Sequence, residues 1–169
     1  VAASIEPVNQ YSVPALTQDK NSQTLMLAME EQSEVALRVQ KSGDMTFFKV
    51  SDGEILQQES LPLAGTVVAF DVNTQASRLM VFSNAQGEAL LVKHNYQVTY
   101  PNDQRLITPE LVYPYGEAPL DLDSGDSVIT DITLRDGEEA MVIAALNELG
   151  QLQVNRYLKE VDFLSDEVV

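Results

Sequence analysis

Residues Asp131–Tyr157, DITLRDGEEAMVIAALNELGQLQVNRY, decide the fold, because they support two opposed readings. Ala, Leu, Met and Glu in MVIAALNEL favour helix, and a helix is the reading that composition alone would give. An Asp-Gly step stands before that stretch and a single glycine, Gly150, after it, which is the punctuation of strands and tight turns.

Two further segments resolve the choice. EVALRVQKSGDMTFFKV from Glu34 and SRLMVFSNAQGEALLVKH from Ser77 align with EAMVIAALNELGQLQVNRY from Glu139, each an apolar run, polar turn residues, a glycine and a second run. Val35 to Gly43, Leu79 to Gly87 and Val142 to Gly150 are each separated by eight residues. After the glycines the pattern alternates: Met45 and Phe47 with Lys49 next in step, then Leu90 and Val92, then Leu152 and Val154. Period-two alternation puts one set of side chains on a buried face of a strand, and glycine supplies the positive φ that a tight hairpin demands. The stretch is therefore expected to be strands, with Leu152 and Val154 on a buried face.

Each copy has an apolar segment upstream, TLMLAM from Thr24, TVVAFDV from Thr66 and SVITDITL from Ser127. Turn formers follow at Glu31–Ser33, Asn73–Ala76 and Arg135–Gly137. In the first copy Asp52-Gly53 separates FFKV from EILQQESLPL, which supplies a fourth strand. Four short antiparallel strands within the 42-residue step from Thr24 to Thr66 is the spacing of a propeller blade. The expected organisation is an extended entry segment over 1–23 and blade-like repeats over 24–65, 66–126 and 127–169. The fold class expected is all-β, with antiparallel blade-like sheets of a partial, WD-like β-propeller. Natural propellers close with about four to eight blades, so three form an open arc.

The second repeat is the longest. Its excess, His94–Asp126, holds four of the six tyrosines and four of the seven prolines. Proline keeps to edges, first positions and bulges of sheets, so this excursion should carry one or two short strands. His94 should stand at the end of the strand that enters it. Tyr96, Tyr100, Asn102, Arg105, Tyr113 and Tyr115 are the candidate partner-binding residues, since a tyrosine ring suits a surface that is dry on one side and wet at its hydroxyl. The competing reading is that some of these rings fill the gap beneath a long loop.

Composition narrows the rest. With 26 acidic against 10 basic side chains the formal net charge is −16. Affinity for nucleic acid and anionic lipid comes from Lys and Arg displacing counterions, so nucleic acid is excluded as a partner. The absence of Cys removes disulfides, thiolate chemistry and Cys-based metal sites. His94 is the single histidine, so a zinc site built on several imidazoles is excluded too. No catalytic residue, cofactor or metal is expected, because no Gly-x-Ser-x-Gly elbow and no glycine-rich phosphate loop occurs. DLDSGD, Asp121–Asp126, has the alternating oxygen ligands of a calcium loop, but its glycine is offset and Ile132 stands where the bidentate Glu belongs, so an acidic turn explains it. No apolar run is long enough to span a membrane, no signal-peptide pattern opens the chain, and the Val at position 1 is expected to follow a cut from a longer parent.

The order EVALRVQKSGDMTFFKVSDGEILQQESLPL, ALLVKHNYQVTYPNDQRLITPELVYPYGEAPLDL, ITDITLRDGEEAMVIAAL resembles the large extracytoplasmic insertion of PstC-type phosphate ABC transporter permeases, over nearly the whole chain. YPNDQRLITPELVYPYGEAPL is its most characteristic stretch, whereas the Trp-Asp signature of WD repeats is absent because the chain has no Trp. The resemblance implies a propeller-like domain on the periplasmic face of a bacterial inner membrane, carried by a membrane-anchored parent. It implies as partners a periplasmic phosphate-binding protein or another envelope protein, and the remaining permease and ATPase subunits. An envelope scaffold of propeller type, unrelated to phosphate transport, is the alternative. The ten cations are scattered, so direct phosphate capture by these residues is not expected. A flat apolar end sheet also makes a homodimer of this piece an expectation.

Overall fold

The computed structural model describes Ser4, Glu6, Ser12 and residues 23–30, 34–73, 78–122, 127–159, 161–162 and 167–168. The expected entry segment over 1–23, most of the Glu31–Ser33 and Asn73–Ala76 turns, and the Asp123–Asp126 part of DLDSGD lie outside the described residues. What is described is all-β, with a single 3₁₀ turn and no helix long and apolar enough to cross a membrane.

The first sheet is a meander of β1 (Thr24–Met29), β2 (Val35–Gln40), β3 (Asp44–Lys49) and β4 (Ile55–Ser60). The second runs in the order β5 (Val67–Val72), β6 (Leu79–Asn84), β7 (Glu88–Thr99) and β8 (Leu106–Val112), with the two-residue β9 (Leu120–Asp121) beside β7. The third holds β10 (Ile129–Asp136), β11 (Ala140–Asn147) and β12 (Leu152–Leu158). β13 (Val161–Asp162) and β14 (Glu167–Val168) pair with each other. Pairing is antiparallel throughout, and none of the three larger sheets closes into a barrel.

The three glycine-aligned segments are hairpins, as their spacing predicts. Gly43, Gly87 and Gly150 have φ of 90°, 81° and 79°, and their amides donate to Gln40, Asn84 and Asn147. In the second and third hairpins the residue three before the glycine is an asparagine that holds the turn from inside. Asn84 Oδ1 accepts from the Gln86 and Glu88 amides at 3.1 and 3.0 Å; Asn147 Oδ1 accepts from Leu149 and Gln151 at 3.0 and 2.9 Å. Asparagine competes with the backbone for local hydrogen bonds in this way, which is why it marks turns.

Packing is layered, with the second sheet in the middle. Met80, Phe82, Leu90 and Val92 point toward the first sheet, against Val35, Leu37, Val39, Met45 and Phe47. Their neighbours Leu79, Val81, Ala89 and Leu91 point the other way, against Ile129, Ile132, Leu134, Met141, Ile143 and Ala145 of the third sheet. A strand covered on both faces reads as a continuous apolar run, and LMVF and ALLV are such runs. Asp71 of β5 ties the second layer to the third, accepting from the Leu134 amide at 2.7 Å and the Thr133 hydroxyl at 3.2 Å.

Two expectations are corrected. Leu152 and Val154 lie on the exposed side of the third sheet, 64% and 56% accessible, because no further layer among the described residues covers that face. His94 does not end its strand: β7 continues to Thr99 as one arm of a long hairpin with β8, so much of the tyrosine- and proline-rich excursion is sheet rather than loop.

Candidate partner-binding hairpin

The β7–β8 hairpin pairs continuously from Lys93↔Val112 to Thr99↔Leu106 and then turns through Tyr100–Arg105. Pro101–Asp103 forms a 3₁₀ turn, closed by the Gln104 amide donating to the Pro101 carbonyl at 3.0 Å. Asn102 and Asp103 sit in the left-handed region at φ of 53° and 60°, which Asn and Asp tolerate better than other side chains do. Tyr100 is 65% accessible, and Asn102 and Arg105 beside it are exposed, as are the flanking Val98 and Leu106. Three of the six sequence-selected residues thus meet at one tip.

The hairpin is anchored at its base by a small, partly buried network. The Tyr96 ring meets Phe47 of the first sheet edge-on at 6.0 Å between centroids, and the Arg78 guanidinium lies 5.8 Å from its centre. Arg78 in turn bonds Glu30 at 2.8 Å, and Tyr96 Oη lies 2.9 Å from His94 Nδ1. Only 6% of His94 is accessible. Burial, reinforced by the charge of Arg78 and opposed by Glu30, brings the His94 pKa down to about 4, so the ring is neutral at pH 7. Burial also raises the Tyr96 phenol, with Glu30 acting in the same sense and Arg78 against it. His94 and Tyr96 therefore share a hydrogen bond between two uncharged groups. His94 is buried and Tyr96 half-buried, and through them and Phe47 the base of the hairpin is held to the first sheet.

Tyr113 is half-buried against the core between the first two sheets, its phenol raised by burial first and by Glu59 and Glu117 after it. Tyr115 is more open and lies toward Lys159, whose pKa is raised first by its hydrogen bond to Asp136. The six residues therefore divide: Tyr100, Asn102 and Arg105 at the tip, Tyr96 and Tyr113 in packed positions, Tyr115 apart.

At the foot of the tip is an open cleft of about 310 Å³, lined by Arg105, Leu106 and Ile107 of the hairpin and by Glu34, Lys49, Glu54 and Leu56 of the first sheet, among others. Lys49 and Glu54, which flank the β3–β4 turn, form an ion pair at 3.2 Å. The cleft offers an apolar floor with charges of both signs at the rim, which suits a side chain of a protein partner. The first-sheet residues of this cleft carry no sequence signal, because only the fold brings them beside Arg105. Among the described residues no group of three or more His, Cys, Asp or Glu is arranged to hold a metal ion.

No family model matches the chain and no curated protein matches it, so these comparisons provide no link to the permease family. The class defined by the fold is an all-β protein of three stacked antiparallel sheets with one long protruding hairpin.

Proposed function

We propose that the chain is a non-enzymatic, partner-binding domain on the extracytoplasmic side of a phosphate ABC transporter permease, its stacked sheets an open arc of propeller-like blades. The β7–β8 tip carries this reading. It presents an exposed aromatic ring, a guanidinium and an amide on a support held to the core by Tyr96, so little ordering cost falls on binding. Tyr and Arg are the residues that most often dominate interface energetics. The transport assignment rests on the resemblance of YPNDQRLITPELVYPYGEAPL, and periplasmic location follows from it alone. The partner in this reading is the soluble phosphate-binding protein.

Calorimetry of the chain with that binding protein, with and without phosphate and at two salt concentrations, is the test. Expected is binding that depends on phosphate and weakens at least about tenfold in Tyr100→Ala/Arg105→Ala. Absence of binding to either form would remove the transport assignment. The envelope-scaffold reading would then stand, and the exposed apolar face of the third sheet favours it, since such faces pack against other proteins.

A further inference from the structure

A strand at a sheet edge presents unpaired amides and carbonyls, and proteins defend such edges with bulges, prolines or charges. Five of the six outer strands of the three larger sheets carry a bulge or a proline. β1, β4, β5 and β10 each carry a bulge, with register shifts at Thr24/Met26, Phe47/Phe48, Val67/Ala69 and Ile129/Asp131. β8 contains Pro109, and β10 also gives its Leu134 amide to Asp71. β12 is the exception. It pairs with β11 through seven uninterrupted partners, Ala140↔Leu158 to Leu146↔Leu152, with no proline and no bulge. Among the described residues its other side pairs with nothing, and the third sheet has three strands on its path where the first two have four.

The side chains of β12 include one charge, the exposed Arg156. Leu152, Val154 and Leu158 are exposed, the last 72% accessible. Residues 151–159, QLQVNRYLK, contain two cations and no acid in a chain of net charge −16. A second copy is therefore repelled less at this edge than over the acidic remainder.

We infer that β12 is a strand-accepting edge whose occupant is the β12 of a second copy, paired antiparallel about a two-fold axis at Asn155. The strand is self-complementary in that register. Leu152 falls opposite the partner's Leu158, Val154 opposite the partner's Arg156, and Gln153 opposite the partner's Tyr157, so leucines meet at both ends of the exposed face and no like charges oppose. Sliding by two residues in one direction sets Arg156 against itself, and in the other removes Leu158 from the pairing. The two three-stranded sheets then form one six-stranded sheet in the isologous geometry of a two-fold dimer. A seam of seven residues, about 23 Å long, makes a small interface compared with that of a durable complex, so the dimer is weak and concentration-dependent.

The test does not involve the binding protein, so it stands apart from the function proposed above. Sedimentation velocity over about a hundredfold range of concentration should show reversible dimerisation that weakens at least about tenfold in Val154→Lys, which places an ammonium against the partner's Arg156. Position 154 is exposed, so unchanged circular dichroism will confirm that this variant folds. Because the chain has no cysteine, Asn155→Cys should give an oxidised dimer while Gln153→Cys should not. A monomer at every concentration overturns the inference. So does a dimer that Val154→Lys leaves intact, or crosslinking at position 153 in preference to 155.

Discussion

β6 and β11 enter their hairpins with similar apolar runs, LMVFSN and AMVIAALN, yet they come to rest in different surroundings. Every residue of β6 is buried, the odd and even side chains facing different sheets, while β11 alternates strictly between buried and half-buried positions. Met141, Ile143 and Ala145 fill the core with the second sheet; Val142, Ala144 and Leu146 look outward with Leu152 and Val154. Hydrophobicity in a strand thus states that a face can be covered, and the neighbouring layer decides whether it is. In a stack, the middle sheet uses both faces for stability, and an outer sheet leaves one open.

That contrast makes its sharpest claim about truncation. Phe82→Ala, in the middle layer, should cost about 3–5 kcal/mol in chemical denaturation, the range for a fully buried aromatic. A cost below 1 kcal/mol would mean that the middle sheet is far looser than its burial indicates.

Acid should act next most strongly, on the interface between the first two sheets. With the folded His94 pKa at about 4 and the unfolded value near 6.5, the unfolded chain takes up the proton first as pH falls. The stabilising contribution is fully present above pH 6.5, declines between 6.5 and about 4, and reaches a loss of at most about 3 kcal/mol below that window. His94→Gln should remove this slope. Unfolding curves at several pH values, compared between the two proteins, separate it from carboxylate titration, and parallel curves would place His94 in a more solvated setting.

Turn variants rank third and treat the hairpins alike. Gly87→Ala forces a side chain into φ of 81°, and a loss of about 1–2 kcal/mol is expected in thermal or urea unfolding. Leu152→Ala on the open face should change stability by less than about 0.5 kcal/mol while weakening self-association. A core-sized loss at Leu152 would collapse the distinction between the two faces.

The sequence revealed the hairpins through one physical requirement, a glycine at positive φ at a fixed distance from the start of each run. It did not reveal the reach of β7. KHNYQVTY is polar and followed by proline, and it becomes strand because β8 supplies its partner after a six-residue turn. Nor was the setting of His94 legible, since Arg78 and Glu30 come from separate parts of the chain. Of the candidate site, Tyr100, Asn102 and Arg105 were legible because they are close in sequence on one exposed tip. Tyr96 was not separable from them, since its burial depends on Phe47, which is remote in the chain.

β7 carries one more implication. Its first half lies buried in the middle layer at Leu90–Val92, and its second half ends in solvent at Val98 and Thr99, with Tyr96 braced on Phe47 between them. It is therefore clamped at one end and solvent-exposed at the other, where β8 is its partner. Amide exchange should quicken along a single strand from clamp to tip, and a load applied at Tyr100 would be felt first at the clamp, where His94 sits.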